Sequence, residues 1–242
     1  MTFTTLGYAF IGGLLPAFIW LYFLLQEDAR HPEPKRMIAL AFIAGMAAVP
    51  LVIPLEQWAR IALGNNIPEL NISILTAWAL IEEILKYGMA AAFIFWRPAV
   101  DEAPDYVIYM VTVALGFASA ENMLFLITPL SLGHVAASIL TDDVRFIGST
   151  LLHVFASASI GFALAFSAKS SMPIRVVAAG GGLILAVALH TTFNALIMTE
   201  GASTIFTAVL LVWIAAVIFF AAFEVLKFFE YHTFSRNIYP PL

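Results

Sequence analysis

Glu82, Glu83 and Lys86 stand in the middle of an otherwise apolar run, "LTAWALIEEILKYGMAAAFIFW" (75–96). Other polar groups sit in similar surroundings: Glu121 and Asn122 in "GFASAENMLF", His153 in "GSTLLHVFASASIG", and His190 and Asn194 in "ALHTTFNAL". Glu and His around a buried water can carry out general-base hydrolysis. Desolvation makes a carboxylate a better base, and a neighbouring His or Lys tunes it. Glu82 and Lys86 are one helical turn apart, as are His190 and Asn194. The first pair can balance charge, and the second can supply donors to an oxyanion.

These groups need elements to hold them, and the composition limits what those elements can be. The chain has 242 residues, 62% hydrophobic and 11% charged, with a mean hydropathy of +0.95. Apolar runs of about 20 residues recur along it, the length that crosses a bilayer as a helix. Uniformly apolar runs of that length favour helices over barrel strands. The expected fold is therefore an all-α polytopic transmembrane bundle, forming a single domain over 1–242. With no cysteine, disulfides, thiol catalysis and iron–sulfur ligation are excluded. There is no basic tail, so no nucleic-acid partner is expected; the surrounding partner is the lipid bilayer. The first apolar run has no Lys or Arg before it and is too long for a signal h-region, so it reads as a retained span.

Seven spans are predicted, at about 5–25, 37–55, 73–96, 106–128, 144–167, 176–198 and 204–228. Alternating the connections between two sides places Arg30, Lys35, Arg36, Arg97, Lys169, Arg175, Lys227 and Arg236 on one side. Only Arg60 and Arg145 fall on the other. Positive charge stays cytoplasmic, so the N-terminus is expected outside and the C-terminus inside. Counted from the outer face at about 1.5 Å per residue, Glu82, Glu121, His153 and His190 all lie roughly 10–14 Å deep. A charge at that depth costs roughly 2.5–3.5 kcal/mol even on the lenient insertion scale. One layer of such groups implies one shared site.

Blander readings cover the rest. Ser149, Ser157 and Gly161 form with His153 a stripe of small residues at which another helix can pack closely. His31, His134 and His232 read as surface residues, and Asp142, Asp143 and the "DEAPD" run as a solvated face. Trp20, Trp58, Trp96, Tyr106 and Tyr231 fall near predicted interfaces, where amphipathic rings settle. Competing chemistries lack their residues: there is no H-E-x-x-H pair and no G-x-S-x-G turn within a span, and every Asp is expected in a connection. A glutamate-based site remains, with or without a metal. The alternative function is a proton-coupled transporter or channel using the same Glu/His/Lys cluster. Against it, no polar ladder reaches the cytoplasmic half and no repeat symmetry is visible.

The motif set resembles the PrsW-type intramembrane proteases, related to the CPBP group that includes the CAAX prenyl endopeptidases. E-E-x-x-K is similar to Glu82-Glu83-Ile84-Leu85-Lys86, and F-x-x-x-E-N to Phe117 through Glu121-Asn122. A His on a third helix corresponds to His153, with Gly161 eight residues on, and H-x-x-x-N to His190 through Asn194. The "HPEPKR" connection is similar to the family's Pro-Glu-Pro segment, whereas Tyr106 stands where a Gly is expected. The resemblance covers about residues 20–200. It implies an intramembrane endopeptidase of a bacterial inner membrane, cutting a single-pass substrate such as an anti-sigma factor on the extracytoplasmic side. It also implies that Glu82 rather than Glu83 is the base. His153 is then expected to orient the water, with Glu83, Glu121 and Asn122 in the hydrogen-bond network and Lys86 balancing charge. His190 and Asn194 are expected to serve the oxyanion. The related endopeptidases are described as metal-independent glutamate proteases, whereas PrsW proteins are often described as metalloproteases. No metal or other cofactor is expected here, because these residues already supply base, orienter and donors. Zinc on Glu82, His153 and His190 is the alternative. Reporter fusions should place the 30–36 connection in the cytoplasm; an external reporter signal there would reverse the orientation.

Overall fold

The computed structural model describes residues 2–27, 31–64, 71–132, 135–199 and 202–238. Among the described residues seven helices follow one another: α1 (Phe3–Glu27), α2 (Lys35–Leu63), α3 (Ile72–Phe93), α4 (Ala103–Ser131), α5 (Val135–Ser167), α6 (Met172–Met198) and α7 (Ala202–Ile238). Six contain stretches long and apolar enough to cross a membrane. The remaining helix, α3, is the one that carries Glu82, Glu83 and Lys86 in its middle. The outward faces are apolar, with Ile43, Val177, Ile184, Trp213 and Val217 exposed. Exposed hydrocarbon on this scale belongs against lipid.

Local chemistry sets the helix ends. Asn71 caps α3, its side chain accepting the Ser73 N–H at 2.9 Å, which satisfies one of the orphan donors of the first turn. In the first turn of α4, the Asp105 carboxylate accepts the N–H groups of Asp101 and Glu102 at 2.9 and 2.8 Å. Asp105 is thus a buried helical residue, not part of a connection as expected. It still makes no aspartyl dyad with the site: it lies sixteen residues from Glu121 along α4, or about 24 Å at 1.5 Å per residue. Tyr109 donates to Glu33 near the same end, and His31 Nδ1 lies 3.2 Å from Glu102. These contacts tie the connection before α2 to the start of α4.

Several boundaries move from their expected places. Helix α2 continues through Pro54 to Leu63 and stops where Gly64 adopts φ 109°, a left-handed value that glycine reaches without steric penalty. The stretch "EQWARIAL" is therefore helical, and Glu56 with it. Helix α5 begins at Val135, so the backbone at 142 and 143 is helical as well. The side chains of Asp142, Asp143, Arg145, Tyr231, His232 and Arg236 lie outside the described residues, as do Arg30 and His134.

Helix α4 is the axis of the bundle. Every residue from Val107 to Ser119 is buried, the mark of a helix surrounded on all sides. It packs chiefly on α5, α1 and α2, while α6 lies against α5 and α3. The approach to α2 is the tightest. A Cβ added at Gly45 would lie 1.9 Å from the Val113 carbonyl oxygen, and one at Gly116 1.9 Å from that of Phe42. The two backbones touch, as small residues allow between membrane helices. On the other side Gly161 of α5 rests against Val107, in line with its expected packing role. Gly116→Ala should therefore lower the unfolding temperature in detergent, at an overpacking cost of about 1–3 kcal/mol or more. Gly180→Ala, where nothing lies within 4 Å, should leave it unchanged or raise it. Equal tolerance of the two changes would contradict the crossing.

Candidate active site

Helices α3, α4, α5 and α6 bring their polar groups together toward the end where α4 and α6 finish. Glu82 stands ten residues into α3, Glu121 ten before the end of α4, and His190 eight before the end of α6. At the centre is Lys86, with no solvent exposure. Its ammonium donates to Glu83 Oε1 at 2.7 Å, to His153 Nδ1 at 2.8 Å and to Glu82 Oε2 at 3.2 Å. An ammonium has three N–H donors, and all three are used. The Phe117 ring lies beneath it, 4.2 Å from Nζ to the ring centroid, a cation–π contact that gains strength away from water.

This arrangement fixes the His153 tautomer. Lys86 can only donate, so His153 Nδ1 accepts, and the proton belongs on Nε2, which meets Glu121 Oε2 at 2.8 Å. Both His153 nitrogens are engaged. His190 Nδ1 meets Glu83 Oε1 at 3.0 Å and donates to it. Its Nε2 lies 3.8 Å from Glu82 Oε2. The two rings meet edge to face with centroids 5.0 Å apart.

A cavity of about 540 Å³ opens beside this network, and its wall includes Glu82, Glu121, Asn122, His153, His190 and Asn194. Glu83 and Lys86 are not on that wall. Glu83 is fully buried behind it, held by Lys86, His190 and the Ser157 hydroxyl, which donates at 2.7 Å. Sequence spacing leaves two adjacent carboxylates as candidates for the base, and the cavity is open to Glu82 alone of the two. Asn122 donates to Thr150 at 3.1 Å and so ties α4 to α5 below the cavity.

Some contributors were not anticipated. Glu56 of α2 lines the cavity together with Glu82 and Glu121, and Trp78 donates to the Glu56 backbone carbonyl at 3.3 Å. Ser157, expected only to pack, holds Glu83; the signal was its position one turn beyond His153 on the same face. Ser149, also expected only to pack, lines the cavity. Glu82, His153 and His190 each offer one ligand atom, all within 4.8 Å of one another. By donor type and spacing this set fits a zinc ion with an open position. Lys86 donates to Glu82 Oε2 and His153 Nδ1 within the same group.

A helical membrane bundle enclosing a cavity of carboxylates and imidazoles has the form of an intramembrane hydrolase. The family model described as "PrsW family intramembrane metalloprotease" matches residues 33–223, and the chain belongs to this family of proteases. Protease PrsW of Geobacillus kaustophilus is 26% identical over 190 residues, covering 78% of this chain and 79% of its own. Protease PrsW of Bacillus subtilis is 26% identical over 184 residues, covering 75% and 79%. That of Oceanobacillus iheyensis is 34% identical over 116 residues, covering 48% and 53%. No solved structure gives a significant match.

Proposed function

We propose that the protein hydrolyses a peptide bond in a membrane-embedded protein with a water held between Glu82 and His190. The observation that carries this reading is the 3.8 Å gap between Glu82 Oε2 and His190 Nε2, two acceptors on the wall of one cavity. The gap is too long for a direct hydrogen bond and suits one water donating to both. That water keeps a lone pair directed into the cavity. Its oxygen attacks the scissile carbonyl carbon while Glu82 takes its proton, and the carbonyl oxygen becomes an oxyanion. Asn194, on the same wall, donates to it. When the C–N bond breaks, the proton held by Glu82 passes to the leaving nitrogen.

Two roles differ from the expected ones. His153 has no free nitrogen, so it positions Glu121 and the Lys86 ammonium, and His190 orients the water. His190 then serves as an acceptor, which leaves the oxyanion to Asn194. Glu83, Ser157 and Lys86 hold these groups from behind.

A metal-dependent form has its own support in the spacing of Glu82, His153 and His190 and in the family description. A zinc ion on those residues would lower the pKa of a bound water toward neutrality. The ammonium of Lys86, 2.8 Å from His153 Nδ1 and 3.2 Å from Glu82 Oε2, places a positive charge against two of the three ligand residues and favours the metal-free form. The substrate class is a single-pass protein such as an anti-sigma factor, cut near the extracytoplasmic face of a bacterial inner membrane.

Purified protein incubated with a panel of single-pass membrane proteins should cleave at least one of them. Glu82→Gln should abolish cleavage without loss of folding. Asn194→Ala should retain weak activity, since removing an oxyanion donor lowers turnover by about 10²–10³. A Glu82→Gln enzyme cutting at near wild-type rate would sink the assignment. Activity lost with chelator and restored by zinc would contradict only the metal-free form.

A further inference from the structure

Beside the candidate catalytic cavity lies a second one of about 260 Å³, between α2 and α4. That is roughly nine times the volume of a water in the liquid, about 30 Å³. The two cavities share Glu56, Glu121 and Phe125 in their walls, so they adjoin. Away from the two shared carboxylates the lining is hydrocarbon, including Val52 and Ile53 of α2 and Leu124 and Phe125 of α4. Ile53, Leu124 and Phe125 are 40%, 46% and 64% exposed, so the cleft also opens to the outside of the bundle.

Its origin is visible in the chain. Helices α2 and α4 touch at Gly45 and Gly116, and the cleft begins one turn further on. There α2 carries Pro50 and Pro54, each of which removes a backbone hydrogen bond and crowds the preceding turn. On α4 the side chains lining the cleft include Phe117, Leu124 and Phe125. Close contact below and bulk above make a wedge that widens toward the site.

We propose that this wedge is a side-chain subsite that takes a large apolar residue, of Leu or Phe size, next to the scissile bond of the substrate. The inference rests on the proteolytic reading above and adds the substrate preference. The cleft adjoins the catalytic cavity on its inner side and lipid on its outer side. A membrane-embedded segment brought to Glu82 from the bilayer lays one side chain along this hydrocarbon. A substrate approaching from water would have no use for a subsite open to lipid.

The test uses the full-length protein in phosphatidylethanolamine–phosphatidylglycerol vesicles. The probes are single-pass peptides with an Ala-rich core in which one position at a time is Leu or Phe. Wild type should cut beside Leu or Phe at least tenfold faster than beside Ala, the discrimination an apolar pocket supplies. Leu124→Trp fills the wedge from its half-exposed rim; it should bring that ratio close to one by slowing cutting beside Leu and Phe. An unchanged ratio would overturn the proposal. A second measurement needs no turnover: Glu82→Gln protein is photocrosslinked to the same peptides carrying benzoylphenylalanine at the varied position. Crosslinks should fall within 49–56 of α2 and 117–125 of α4. Crosslinks confined to other helices, as when a lipid chain fills the wedge, overturn it. If wild type cuts no peptide, the proteolytic reading is what fails, and the crosslinks still decide the wedge.

Discussion

A buried ammonium with three acceptors is the constraint on which the rest of this structure depends. Lys86 cannot leave any of its donors empty in a site with no exposure, because an unpaired charge there is strongly destabilising. Glu82, Glu83 and His153 meet that demand from two helices. The consequences spread outward. His153 must carry its proton on Nε2 and present it to Glu121 of α4. Glu83, drawn to Lys86, receives His190 of α6 and Ser157 of α5. Four helices are thereby locked in register around one point, with Glu82 and His190 Nε2 3.8 Å apart beside the cavity.

The fold serves this network by enclosing it. Helix α4 is apolar on every side over its middle turns and so requires neighbours all round; α1, α2 and α5 pack against it. The backbone contact at Gly45 and Gly116 fixes where α2 crosses it. Beyond that crossing a cleft between the two helices is lined by Val52, Ile53, Leu124 and Phe125. In the same protein, then, tight packing on one side of the crossing coexists with an open cleft on the other.

Much of the site was legible in the sequence because charge in an apolar run is conspicuous. Glu82, Glu83, Lys86, Glu121, His153 and His190 all stand out against their surroundings, and all meet. Glu56 was hidden for the opposite reason: it follows Pro54 and opens a polar stretch, "EQWAR", that reads as a connection. In a membrane helix proline is tolerated when neighbours satisfy the freed backbone groups, and the true stop signal was Gly64. Ser157 looked like packing because a hydroxyl among small residues carries no sign of the carboxylate it will meet on another helix. Which of two adjacent carboxylates faces the cavity, and which nitrogen of each histidine is bare, depend on contacts between helices far apart in sequence. No spacing within one helix encodes them.

The central claim is that the Lys86-centred network sets the His153 tautomer and that His190 Nε2 is bare beside Glu82. Side-chain 15N chemical shifts of His153 and His190 in the intact, membrane-embedded protein read this directly, since protonated and bare ring nitrogens resonate far apart. The account predicts His153 protonated on Nε2 alone and His190 on Nδ1 alone. A His190 protonated on Nε2, or a His153 protonated on Nδ1, would contradict it.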